Sequence, residues 1–206
     1  MTTLTIDNSP KKILIVGPFY DQTDKLLRVE PMIQNYDYVI FNGGLCEPLN
    51  QMSLIQKHIE ILDRMFSTQR VIYNMGSRDL MLIEGLYADY PTEVGNWLAQ
   101  RPNVVIVTFT NLSKLIVVNG GVTPRTTEAK LADNIEVSFV SSLGGRPWHQ
   151  AYNGRFGYIV SNEPLTLSAP QFHNFSAQMG NEPFKPETQV YAQEADQYGL
   201  KTTILL

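Results

Sequence analysis

The apolar positions of this chain gather into short continuous runs that end in glycine. Lys11 to Gly17 (KKILIVG) has the length and residue types of a buried strand. Asp37 to Gly44 (DYVIFNGG) and Arg70 to Gly76 (RVIYNMG) repeat the pattern. Between these runs the apolar residues fall at helical spacing instead. Met52 to Phe66 is the strongest such segment, with Leu54, Ile55, Ile59, Leu62 and Phe66 on one face and Ser53 placed to cap its start. Asp24 to Tyr36 predicts a short helix that Pro31 kinks or breaks, and Asp79 to Tyr90 and Thr92 to Gln100 predict two more. The resulting order, β-α-β-α-β-α, is that of a parallel sheet with crossover helices. In such sheets ligands sit beyond the carboxyl ends of the strands, which points to the turns at Gly17, Gly43-Gly44 and Gly76.

The second half changes style. Asn103 to Phe109 and Lys114 to Gly121 read as two strands of a hairpin joined by Thr110 to Ser113. Ile135 to Val140 and Phe156 to Asn162 read as further strands. Thr188 to Leu206 reads as a closing hairpin that turns near Asp196 to Gly199. The expected architecture is one α/β domain over residues 1–206, with parallel strands first and antiparallel hairpins later.

Composition narrows the function classes. Apolar residues make up 43% of the 206, enough for a sizeable core. A net charge of -4 argues against a broad nucleic-acid footprint, because phosphate backbones select basic surfaces. Cys46 is the single cysteine, which excludes an internal disulfide and a cysteine-rich zinc site. No secretory leader is legible, and no run approaches the roughly 20 apolar residues of a membrane span. These features predict a soluble protein of the cytoplasm or of a virion.

The order of the glycine turns resembles the calcineurin-like metallophosphoesterases, in particular the branch with bacterial and phage serine/threonine phosphatases. That family reads GDxHG, GDxVDRG, GNHE or GNHD, HGG and a late GH. The matching stretches here are GPFYD (Gly17 to Asp21), GGLCEPL (Gly43 to Leu49), GSRD (Gly76 to Asp79), NGGVTP (Asn119 to Pro124) and SNEP (Ser161 to Pro164). The resemblance implies a metallophosphoesterase-like β-sandwich flanked by helices. It also implies what has changed. Family members hold two divalent cations with carboxylates and imidazoles, and the cations activate water and clamp the phosphate. Carried over position by position, Pro18 and Tyr20 stand for the Asp and His of the first turn, and Gly44 for the bridging Asp. Ser77 stands for a ligand Asn, Arg78 for the proton-donating His, Asn119 and Asn162 for ligand histidines, and Pro48 for a phosphate-holding Arg. Without the bridging carboxylate two dications would repel with little compensation. Arginine, with a pKa above 12, is a poor general acid. The expectation is a degenerate member with no catalytic residue, no metal centre and no cofactor.

Single residues carry alternatives. Arg78 reads as an anion-binding residue in a former active site or as a partner of a neighbouring carboxylate, with Asp79 capping the next helix. Asn119 and Asn162 read as anion-binding or weak cation-binding amides, or as turn residues bonded to backbone. His58 reads as a boundary residue of its helix. His149, His173 and Asp21 offer a remote mononuclear metal site, and Cys46 an even more remote nucleophile. Arg146, Trp148, Tyr152, Arg155 and Tyr158 interleave cations and aromatics in one long segment, as base-stacking or protein-contact surfaces do. The expected function is therefore binding or assembly on an inactive scaffold, as in a viral structural component, with protein partners or a homo-oligomer and no nucleic acid or membrane. The alternatives are a divalent-metal-dependent phosphoesterase with a rearranged site and a non-hydrolysing binder of phosphate, phosphopeptide or another small anion.

Overall fold

The computed structural model describes residues 3–7, 12–17, 19–20, 23–45, 52–83, 92–108 and 114–119, and the backbone course of strands at 142–143, 146–147, 158–160, 173–174, 190–196 and 199–204. Two five-stranded sheets face each other, with helices over the outer face of one of them.

The helix-covered sheet is built around β2 (Lys12–Val16), β3 (Tyr38–Asn42) and β4 (Val71–Asn74), which pair in parallel. The closing hairpin, β11 (Val190–Asp196) and β12 (Gly199–Ile204), adds two antiparallel strands beside β2. The second sheet runs β1 (Thr3–Ile6), β5 (Val104–Thr108), β6 (Lys114–Val118), β9 (Tyr158–Val160) and β10 (His173–Asn174). The predicted β5–β6 hairpin is antiparallel. Two features depart from the sequence reading. β1 was not anticipated, and it pairs in parallel with β5. β9 lies parallel to β6, in the half of the chain where antiparallel strands were expected. Ser142–Leu143 (β7) and Arg146–Pro147 (β8) form a small antiparallel ribbon. The expected strand at 135–140 and the segment 84–90 lie outside the described residues.

Strand periodicity sorts the core into two layers, since successive side chains point to opposite faces. Ile13, Ile15 and Ile40 face the second sheet, where they meet Ile6, Val105, Val107, Leu115 and Val117. Their neighbours Leu14, Val16, Val39, Phe41 and Tyr73 face the helices. Both faces of β2 and β3 are buried, which is why their sequences read as unbroken apolar runs.

Helix α2 (Met52–Phe66) has the predicted bounds and buries Ile55, Ile61, Leu62 and Met65. Ser53 lies inside its first turn, two residues past the position that would cap it. Helix α1 (Thr23–Val29) passes directly into a 3-10 helix, Glu30–Asn35. Pro31 sits at the start of that tighter helix, where its missing N–H has no partner to lose. Helices α3 (Ser77–Ile83) and α4 (Thr92–Ala99) follow β4. Trp97 fastens α4 to α2 by donating to Asp63 over 2.8 Å, and Arg101 lies against both the Phe66 and Trp97 rings. Among the described residues no helix is long and apolar enough to cross a membrane.

Candidate functional site

Four of the glycine turns meet at the carboxyl ends of the parallel strands. The turn after β3 touches the turn after β4 so closely that a methyl group on Gly43 would lie 2.8 Å from the Gly76 Cα. The same methyl would lie 2.6 Å from the Asn119 amide nitrogen, which comes from the turn after β6. A methyl on Gly76 would meet that nitrogen at 2.8 Å. Gly43 and Gly44 both have φ of +80, a left-handed region open to glycine and strained for other residues. The first turn joins through Tyr20, whose N–H donates to the Gly44 carbonyl over 2.8 Å. Tyr20 itself has φ of 41, rare for a residue with a side chain.

The polar groups that hold these turns were only partly foreseen. Asn42 and Asn74 are directly opposed at the ends of β3 and β4, on the face that looks toward the second sheet. Asn74 Nδ2 donates to Asn42 Oδ1 over 2.8 Å. Asn42 Nδ2 crosses to the Val118 carbonyl over 2.8 Å, and Asn119 Nδ2 returns to the Asn42 carbonyl over 3.1 Å. Asn42 and Asn74 have no solvent exposure. A buried amide left unbonded would cost about 1–3 kcal/mol, so these contacts are specific demands on how the two sheets align. A signal existed in the sequence: VIFNG, VIYNMG and VVNG each carry an asparagine at the end of an apolar run, one or two positions ahead of a glycine.

Asp79 is the acidic centre of the junction. Its carboxylate is fully buried and accepts from Tyr73 Oη at 2.6 Å, from the Gly76 N–H at 2.8 Å and from the Leu45 N–H at 3.2 Å, with the Gly44 N–H also bonded. Helix α3 starts two residues earlier than expected, so Asp79 is its third residue and not the cap before it; the bond back to Gly76 is instead the reciprocal half of a capping box. Burial pushes its pKa above the usual carboxylate range, and its four donors oppose that rise.

Arg78, next to it, lies with its guanidinium 4.6 Å from the centre of the Tyr20 ring, a cation–π contact that links the third turn to the first. His58 is not the boundary residue that its sequence position suggested. It is completely buried, 2.9 Å from Thr23 Oγ1 and 3.0 Å from the Leu45 carbonyl, with its ring edge-on to Phe19. A carbonyl only accepts, so Nδ1 carries the proton and Nε2 accepts from the threonine hydroxyl. His58 thereby props the turn that carries Gly43 and Gly44, and no signal in the local sequence marks that role.

Of the positions singled out by resemblance, Tyr20, Gly44, Arg78 and Asn119 converge here. Pro18, the Ser77 side chain and Asn162 lie outside the described residues, as do Asp21, Cys46, Pro48, His149, the His173 side chain and the side chains of the Arg146–Tyr158 aromatic segment. The donor set that is described does not fit a pair of divalent cations: a glycine, an arginine, a tyrosine on the arginine, and an amide already bonded to backbone. Among the described residues no three His, Cys, Asp or Glu side chains gather in one place. The opposite ends of the strands carry a separate groove of about 490 Å³ between the 3-10 helix and α2, where Arg64 and Glu30 pair at 2.6 and 2.8 Å.

No protein-family model matches the sequence, and none of the curated proteins matches it. Solved structures do. A candidate diadenosine tetraphosphatase superposes with a TM-score of 0.64 at 17% identity, over 100% of this chain and 98% of that one. A cold-active protein-tyrosine phosphatase of a psychrophilic Shewanella gives 0.56 at 12% identity, over 100% and 83%. A protein serine/threonine phosphatase from Saccharomyces cerevisiae gives 0.55 at 11% identity, over 98% and 83%. At these identities the likeness is one of fold, and the fold of this chain is that of the calcineurin-like metallophosphoesterases.

Proposed function

We propose that this protein is a catalytically inactive metallophosphoesterase-fold protein that works as a binding or assembly module. The observation that carries the reading is the cation at the junction. A guanidinium stacked on Tyr20 stands at the position of the family's proton donor, beside a glycine at the position of its bridging carboxylate. A fixed positive side chain repels metal dications and, as arginine, does not give up a proton near neutral pH. What remains is a rigid scaffold with a low content of charged residues, 17%, which suits lasting protein contacts in an oligomer or a larger assembly, including a virion. Fold alone does not assign that role.

The rival is a phosphoesterase with a rearranged metal site, the activity carried by the names of the structural neighbours. Purified protein assayed on a generic phosphomonoester with manganese separates the two. The proposal expects no turnover above the protein-free rate. Turnover that a chelator abolishes would sink it. A second reading, a non-hydrolysing anion binder, draws on Arg78 and Asn119 lying in the same junction. There phosphate raises the melting temperature and Arg78→Ala removes the rise.

A further inference from the structure

The junction contains more than a set of lost ligands: its described residues bind the turns to one another. Metal ions in a multi-turn centre cross-link loops that would otherwise be independent. Among the described residues, protein groups make such links here. Asp79 draws together the second turn through Gly44 and Leu45, the third through Gly76, and β4 through Tyr73. Asn119 wedges between Gly43 and Gly76 and bonds back to Asn42. Arg78 on Tyr20 joins the third turn to the first, and the Tyr20 N–H joins the first to the second. Asn42 ties the end of β3 to β6 of the other sheet.

The backbone has changed along with the side chains. Gly44 occupies the position of the bridging carboxylate, and its φ of +80 is a left-handed conformation that residues with a Cβ adopt at a cost, smaller for Asp and Asn than for others. Its N–H is already bonded to Asp79. An aspartate restored there would begin from an unfavourable backbone and would bring a second carboxylate toward a buried one.

We infer that an internal lock, in which Asn119 and the Arg78–Tyr20 contact stand at former ligand positions and Asp79 keeps the acid that the resembled GNHE/GNHD turn carries, has taken over the cross-linking role of the metal pair, so that this fold is stable without divalent cations and the Gly44 backbone opposes their return. The inference rests on the alignment of turns behind the proposed function and deepens it.

The test uses the full chain. Thermal midpoints are measured in chelator and in millimolar manganese, with bound manganese read by electron paramagnetic resonance. The lock predicts equal midpoints and no stoichiometric manganese. A site saturated about 100-fold would instead raise the midpoint by roughly 5–10 °C, and that result overturns the lock. Gly44→Ala should lower the midpoint by about 2–8 °C, from left-handed strain alone. Gly44→Asp should lose at least as much, with no recovery in manganese. A Gly44→Asp protein as stable as the parent, or rescued by manganese, also overturns it. If neither variant folds, the parent's manganese titration still decides. Phosphomonoester turnover is followed in the same samples. Manganese stabilisation without turnover removes the lock and leaves the inactive-scaffold reading intact, whereas turnover removes both.

Discussion

The middle of the sandwich and its end solve different problems. In the middle, Ile13, Ile15, Ile40, Val105, Val107, Leu115 and Val117 join the two sheets by apolar burial. That attraction is strong and non-directional, at roughly 25 cal/mol per Å² removed from water. It rewards contact but tolerates volume-conserving exchange and says little about alignment. At the end, two residues further along β3 and β4, the same inter-sheet face carries Asn42 and Asn74. Hydrogen bonds there are directional and expensive to leave unmade. The apolar layer makes the sheets pack, and the polar end decides which turns meet once they do. That division explains why a junction of glycines, asparagines and one buried carboxylate keeps its geometry where the donor set does not fit a metal pair.

The contrast predicts a graded set of outcomes. The largest belongs to Gly43→Ala, which combines left-handed strain with a methyl driven into the Gly76 backbone. A loss of about 3–5 kcal/mol in denaturant unfolding is expected, and a loss under 1 kcal/mol would show that the turns are not truly in contact. Ile40→Ala, the middle-layer counterpart, should cost about 2–5 kcal/mol, whereas the milder Ile40→Val should cost about 0.5–1.5.

Asn42→Ala should cost about 1–3 kcal/mol by removing the Val118 carbonyl's side-chain donor and leaving the Asn74 amide only its 3.5 Å contact with the Val117 carbonyl. It should couple to Asn74→Ala by more than about 0.5 kcal/mol in a double-mutant cycle, while Ile40 and Asn119 variants provide the apolar and cross-sheet references. Additive effects of Asn42 and Asn74 would break the idea of a cooperative polar end.

Asp79 gives the comparison a pH signature. Its folded pKa is raised, so the folded state binds this proton more tightly than the unfolded chain does. The associated stability is present at low pH and is lost as the pH climbs from about 4 through the folded value. Unfolding free energy of the parent relative to Asp79→Asn should therefore fall over that climb. A difference that rises instead would mean that the four donors outweigh burial. Glu30 runs the other way. Its bond to Arg64 holds its pKa below the usual range, so its contribution is lost as the pH falls through that lowered value, and its exposure keeps the effect small.

The two smallest effects lie at the rim and away from the junction. Arg78→Ala should cost only about 0.5–1 kcal/mol of stability, the worth of a partly exposed cation–π contact. Gly95→Ala should stabilise by up to about 1 kcal/mol, because a methyl there meets nothing within 4 Å and the position is helical.

Much of this protein was legible along the chain. The three glycine-ended strands, α2 with its bounds, the kink at Pro31, the β5–β6 hairpin and the closing hairpin all follow from periods of two and of 3.6 and from turn residues within a few positions. The order of the turns was enough to suggest the fold. Tertiary structure alone decided the rest. β1 needed a partner a hundred residues away before its four residues made a strand. His58 looked like a helix boundary until Phe19, Thr23 and Leu45 closed around it. Asn42 and Asn74 were merely part of two predicted strand runs until a second sheet brought carbonyls to their amides, at separations of 76 and 43 positions. Apolar periodicity repeats within one element and can be read locally, but the partner of a buried polar group is chosen across elements and exists only once the layers have packed.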